Sequence, residues 1–295
     1  MKRPIDFAIV GAHKCATTSL YHFLQQHVDI YLPEIEENRF FTKPEFYAEG
    51  DRFLDPLYEG HRDSQRLGMK NVHIMFFRCS VDLLHKDSPA CQLIVVLRNP
   101  IDRAYSAYWF ARFNGWENAP TFEKALALEP QRLEGSYDEQ TELTYLHHGH
   151  YAEQLRHCFE RFDRDRVLVL LTDEIKANAA AAVRHTLAWL GIDPNGQKLD
   201  VSRRRMTAAT PKSARLQKFL MARDTVYRRA ARKMIPQHVR FVLQRRIIDP
   251  VLKRNIKPFT YPPMAPQTRK SLQSYFRSHN RKLEELLGVD LSHWE

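Results

Sequence analysis

The sequence predicts an α/β fold: three layers, with a central parallel sheet flanked by helices. Three observations carry that prediction. Short continuous apolar runs recur at Phe7–Val10, Leu93–Leu97 and Val167–Leu171, the composition of strands buried on both faces. Between them stand stretches whose apolar residues follow the i, i+3, i+4 spacing of helices. Glycine, proline or a capping residue marks the junctions, as alternating strands and helices in a parallel sheet require.

In chain order, Phe7–Val10 ends at Gly11 and leads into a helix whose inner face carries Leu20, Phe23 and Leu24. Ile30–Leu32, stopped by Pro33, reads as a second short strand. Leu93–Leu97 is followed by Arg98-Asn99-Pro100, where Asn99 can cap a helix and Pro100 can occupy its first position. After Val167–Leu171 a helix is expected from about Asn178 to Leu190, closed by Gly191. The proline-rich stretch Thr260–Pro266 connects to a last amphipathic helix, Gln267 to Leu287, ending at Gly288. One domain spanning 1–295 is expected, with 202–257 as a basic helical lid or arm and 264–295 packed back on the core.

Composition bounds the function. The 295 residues are 43% hydrophobic and 27% charged, with mean hydropathy −0.51. No apolar run approaches the roughly 18 to 20 residues of a membrane span, and no signal-peptide pattern opens the chain. The four scattered cysteines (Cys15, Cys79, Cys91, Cys158) form no C-x-x-C pair, so neither a disulfide framework nor a zinc-cysteine site is expected. A cytoplasmic protein fits best. The net charge of +10 is concentrated: Ser202–Lys257 holds 17 Lys/Arg against two acids, Asp224 and Asp249. That segment implies an anionic partner, whether nucleic acid, lipid surface or small molecule.

The stretch Gly11-Ala12-His13-Lys14-Cys15-Ala16-Thr17-Thr18-Ser19-Leu20 runs from a buried strand through a turn into a helix. Amides of a helix's first turn lack intrahelical partners and stand at the positive end of its dipole. Small residues at Cys15 and Ala16 let an anion approach the backbone, and the threonine hydroxyls add donors, so the stretch reads as a phosphate cradle. It is P-loop-like without matching Gly-x-x-x-x-Gly-Lys-Ser/Thr. Ala16 stands at the second glycine and Thr17 at the lysine, while the lysine present, Lys14, lies three residues earlier. A nucleotide kinase remains an alternative reading, and a basic nucleic-acid-binding protein another.

Lys14 to Leu20 resembles the 5′-phosphosulfate loop of sulfotransferases that use 3′-phosphoadenosine 5′-phosphosulfate (PAPS), Lys-x-Gly-Thr-Thr/Ser-x-Leu, with Ala16 replacing the commoner glycine. Leu93 to Tyr108 is similar to that family's 3′-phosphate site, a strand, Arg-x-Pro, then Arg and Ser on the next helix. The resemblance therefore implies nucleotide binding by Lys14, Cys15, Ala16, Thr17, Thr18, Ser19, Arg98 and Ser106. Physics agrees for Arg98, whose planar fork at the carboxyl end of a strand suits a phosphate. Glu36-Glu37-Asn38-Arg39-Phe40-Phe41 is similar to the Lys-Glu-x-His-Phe-Phe pattern of the heparan-sulfate-type branch, which implies Glu37 as catalytic base. Leu67-Gly68-Met69-Lys70-Asn71 falls where the family has Glu-Lys-Ser/Thr-Pro, which implies a catalytic Lys70. Gly149–Leu155, Leu187–Gly191 and Glu284–Trp294 also have counterparts in prokaryotic members. In the family a basic loop often closes over PAPS, and Arg203, Arg204, Arg205 and Lys212 are its candidates here.

The expectation is thus an enzyme moving a sulfuryl group from PAPS to a hydroxyl, less readily an amine, of a carbohydrate, small-molecule or lipid acceptor. Adenosine 3′,5′-bisphosphate would be the product. Glu37 would take the acceptor's proton and Lys14 would stabilise the departing phosphate. No metal is expected, including at the dense group His147-His148-Gly149-His150. The basic segment lacks helix-turn-helix, zinc-finger and RNP signatures, so specific nucleic-acid binding is not expected, whereas its helical apolar spacing suits a lipid surface or the enzyme body.

Overall fold

The computed structural model describes residues 4–202, 209–221, 243, 246 and 248–294. Five strands form one sheet: β1 (Phe7–Gly11), β2 (Ile30–Tyr31), β3 (Arg66–Lys70), β4 (Gln92–Leu97) and β5 (Val167–Leu171). Their order is β2-β3-β1-β4-β5 and every pairing is parallel. The first and third predicted strands are neighbours, with Phe7 opposite Gln92 and Ile9 opposite Ile94. The register then slips, so that Gly11 faces Val95. Such an irregularity bends a strand and redirects the chain beyond it. Here the redirected chain is the predicted phosphate cradle.

Helices flank the sheet. We label α1 (Thr17–Leu24), α2 (Arg78–Asp87), α3 (Pro100–Phe113), α4 (Tyr151–Arg161) and α5 (Ala179–Trp189). α1 packs with α5, and α2 with α4. Asn178 caps α5 by accepting the Ala181 amide at 2.9 Å, and Gly191 turns out of it at φ 75°. The sequence pattern conceals β3. Its Arg-Leu-Gly-Met-Lys lacks an apolar run because Gly68 sits in the middle, where a Cβ would lie 2.2 Å from Phe7 Cζ on β1.

Contacts divide the chain into two compact units. The first holds Met1–Arg103, Leu146–Arg205 and Arg269–Glu295 and contains the whole five-stranded sheet. Its core is built from β1 and β4, both completely buried except at Gln92, with Leu283, Leu291 and Trp294 closing it from the C-terminal side. The second holds Ala104–Tyr145 and Met206–Thr268. Within it, helix α6 (Ala214–Met221) accepts the Trp116 indole N–H at the Met221 carbonyl, 3.0 Å away. The segment 202–257, expected as a basic helical lid or arm, also contains the strand β6 (Ala209–Pro211), which pairs antiparallel with β7 (Ile256–Pro258) at its far end. Short strands of three residues carry too little periodicity to be read. The final helix, α7 (Pro266–Leu287), begins one residue before its expected start and ends at Gly288, φ 67°. No described helix is long and apolar enough to cross a membrane.

Candidate active site

The loop after β1 owes its shape to its anchors. The carbonyl of His13 accepts Arg103 Nε at 3.0 Å, that of Lys14 accepts Arg98 Nη1 at 3.5 Å, and that of Cys15 accepts the Thr172 hydroxyl at 3.1 Å. With three successive carbonyls tied to the body, the amides on the opposite edges of those peptides turn the other way. Lys14 (φ 67°) and Ala16 (φ 65°) are left-handed, and Ala16 is the N-cap of α1. Left-handed steps beside a helix start make a concave backbone nest for an anion.

The side chains of the predicted loop divide. The Cys15 thiol is fully buried, 3.9 Å from the Tyr151 hydroxyl, and burial pushes it up against the pull of Arg103 and Arg98. The thiol therefore faces the protein interior. Thr17 and Ser19 are buried in α1, while Thr18 is half-buried and accepts a hydrogen bond from Lys70 Nζ at 3.0 Å. Burial, then the neighbouring His73, Arg103, Lys14 and His148, holds His13 well below the usual imidazole range.

Arg98 emerges from β4 as predicted, and the Tyr151 hydroxyl donates to its carbonyl at 3.0 Å. Its Nε is buried and has no hydrogen-bond partner among the described residues. A buried guanidinium N–H without an acceptor is costly, and a phosphate would supply that acceptor. Arg103, the arginine that comes next on α3, is fully buried on His13 and braces the loop. Ser106 is half-buried on α3 and belongs to the second unit. Lys212 is in that unit too, its side chain exposed and its amide donating to the Asn255 carbonyl at 2.6 Å. Arg203, Arg204 and Arg205 lie outside the described residues.

Lys70 ends β3 directly beside Ile9 of β1. Its side chain is 1% exposed, yet its ammonium lies 2.6 Å from Glu37 Oε1 and 3.5 Å from Glu36 Oε2. One cation thus joins the cradle, through Thr18, to two carboxylates. Glu37 Oε2 also accepts the Val72 amide at 3.2 Å, and Glu36 Oε1 lies 2.7 Å from His22 Nε2. The acidic segment is fastened to the sheet: the Asn38 amide donates to the Lys70 carbonyl at 2.8 Å, and Asn71 Nδ2 donates to the Asn38 carbonyl at 2.9 Å. Phe40 and Phe41 bury behind it.

Glu36, His22 and Asn71 were not among the predicted site residues. For His22 a signal existed, since it stands four residues after Thr18 and therefore on the same helix face. For Asn71 none did, because its role depends on a β3 that the pattern conceals. The arrangement places two half-exposed carboxylates beside a buried ammonium that touches a phosphate cradle. Chemically, such carboxylates can accept a proton beside a backbone turn that can hold an anion.

Residues 4–240 match the sulfotransferase domain family. A human bifunctional heparan sulfate N-deacetylase/N-sulfotransferase 2 is 28% identical over 200 residues, covering 64% of this chain and 22% of that protein. Human carbohydrate sulfotransferase 15 is 21% identical over 348 residues, covering 98% of this chain and 54% of its own length. The chain therefore spans between about a fifth and a half of these curated relatives. Among solved structures, a sulfotransferase from Alicyclobacillus acidocaldarius superimposes with TM-score 0.72 at 25% identity, over 100% of this chain and 99% of the other.

Proposed function

The chain belongs to the sulfotransferase domain family, and from that premise we propose that it transfers a sulfuryl group from PAPS to an acceptor hydroxyl. The observation that carries the reading is Lys70 Nζ, bound at once to Thr18 of the cradle and to Glu37. A group poised between nucleotide site and base belongs where the transferred group passes. PAPS supplies an electrophilic sulfur and a phosphate leaving group. The nest amides and Lys14 hold that phosphate and stabilise its growing charge. Arg98, with its unpartnered Nε, holds the 3′-phosphate. Glu37 takes the proton of the acceptor hydroxyl as the new O–S bond forms. Lys70 holds Glu37 in place and lends positive charge to the group in transit. Ser106 and Lys212, and Arg203 outside the described residues, are assigned to the nucleotide by resemblance alone.

Relatives named for heparan sulfate and carbohydrate make a sugar the first acceptor class to test, and because one is named an N-sulfotransferase the sugar amine is tested beside the hydroxyl. Labelled PAPS offered with glycan, phenol and lipid acceptors ranks the classes. In the Glu37→Gln variant, turnover is expected to fall by ~10² to 10⁴ while the affinity for adenosine 3′,5′-bisphosphate stays within about twofold. Full turnover in that variant would refute the base. Calorimetry with both nucleotides tests the donor, since tighter binding of ATP than of the bisphosphate favours the kinase reading.

A further inference from the structure

The site holds one carboxylate more than the proposed proton transfer uses. Lys70 Nζ lies 2.6 Å from Glu37 Oε1 but 3.5 Å from Glu36 Oε2, so one buried ammonium faces two acids and favours one of them. What draws Glu36 aside is His22 on α1, whose Nε2 lies 2.7 Å from Glu36 Oε1.

The surroundings of His22 set its protonation. Its other ring nitrogen, Nδ1, lies 3.2 Å from Gln25 Oε1. The Gln25 amide is held in that orientation because its Nε2 donates to the Leu32 carbonyl at 3.2 Å, and a flip would set oxygen against oxygen there. Both ring nitrogens therefore face oxygens. An amide oxygen only accepts, so Nδ1 carries a hydrogen. The proton between Nε2 and Glu36 belongs on the imidazole, since a carboxyl group is the stronger acid and the Lys70 ammonium favours Glu36 as the anion. With both nitrogens donating, His22 is an imidazolium.

We propose that His22 is a positioning residue: its imidazolium pairs with Glu36 and holds that carboxylate off Lys70, which leaves the ammonium to Glu37. This role rests on the reading of Glu37 as base. The charges balance pair by pair, Lys70 against Glu37 and His22 against Glu36. Without the imidazolium, a single ammonium would stand between two carboxylates, and the attraction of Glu36 would pull it away from Glu37. The Tyr21 ring packs against both cations, edge-on to His22 with centroids 5.5 Å apart and 5.6 Å from Lys70 Nζ, and its hydroxyl donates to the Pro33 carbonyl.

Two measurements test it. In the full chain labelled with ¹⁵N, the His22 ring signals, identified by their loss in His22→Ala, are expected to show both nitrogens protonated at the pH of the assay, with no acceptor or PAPS needed. A mutant cycle then reads turnover with labelled PAPS and whichever of the glycan, phenol and lipid acceptors ranks first. His22→Ala should lower kcat by about tenfold while KM for PAPS stays within about twofold. The same substitution made in Glu36→Gln should lower kcat by less than about twofold, because the competing carboxylate is gone. A merely structural histidine would cost the same in both backgrounds, and a misfolded variant would be inactive in both. Full turnover in Glu37→Gln removes Glu37 as base. Equal losses in the two backgrounds, or a His22 spectrum with one unprotonated nitrogen, overturn the role of His22 by themselves.

Discussion

Ala16 shows how much one residue can reveal. The family's loop commonly has glycine there, and in this chain alanine adopts φ 65°. A left-handed non-glycine residue costs about 1–2 kcal/mol, while a glycine costs about 0.5–1 kcal/mol in lost chain entropy. Ala16→Gly should therefore stabilise the protein by up to about 1 kcal/mol, a Tm rise of about 2–4 °C, without weakening nucleotide binding. A fall in Tm would show that the loop is not strained at this position. The loop's form was legible because its residues are consecutive and its shape is set by the backbone. The partners of Lys70 were less so. Glu36, Glu37 and Thr18 come from two other stretches of chain, and only a folded sheet brings them to one ammonium.

At the scale of elements, a strand reads from sequence when its apolar residues run together, as in β1, β4 and β5. β3 fails that test for a packing reason. Gly68 leaves room for the Phe7 ring on β1 and for Leu32, whose Cδ2 would lie 2.7 Å from an added Cβ. The missing side chain that hides the strand is what lets it join the sheet. Gly68→Ala should overpack this contact and destabilise by about 1–3 kcal/mol, measured by denaturant unfolding. Because Lys70 stands two residues on, the same variant should lose turnover beyond its loss of stability. Stability within experimental error of the parent would mean that Phe7 can move, and the packing argument would fall.

At the scale of the whole molecule, the second unit has its own polar centre. Glu117 is buried and takes two bonds from Arg132, at 2.7 and 2.8 Å, one from the Tyr145 hydroxyl at 2.6 Å, and one from the Ala119 amide at 2.7 Å. Burial pushes its carboxyl up, but the bonds from Arg132, Tyr145 and Ala119 outweigh that and hold it below 4.5. A depressed carboxylate contributes stability that is present above its unfolded value and disappears as pH falls through its folded value. Glu117→Gln leaves Arg132 buried and unpaired, so it should cost about 3–5 kcal/mol at neutral pH. The variant should also lose less stability than its parent on acidification below 4.5. Unfolding curves across the acid range check both, and parallel curves would remove Glu117 from the account. No sequence pattern announced this centre, since Glu117, Arg132 and Tyr145 share no periodicity.

The sheet order also sets a timetable. β1 is the middle strand, and its two neighbours are β3, ending at Lys70, and β4, ending at Leu97. A ribosome adding 5–20 residues each second needs roughly 4–17 s to go from Gly11 to Leu97. Until then the segment Phe-Ala-Ile-Val-Gly has at least one edge unpaired, and it is the kind of naked apolar strand that invites association with other chains. The phosphate cradle hangs from the end of that strand, so it takes shape only after β4 arrives and Arg98 and Arg103 emerge behind it from the exit tunnel. The loop is among the first segments made and among the later ones to reach its folded shape.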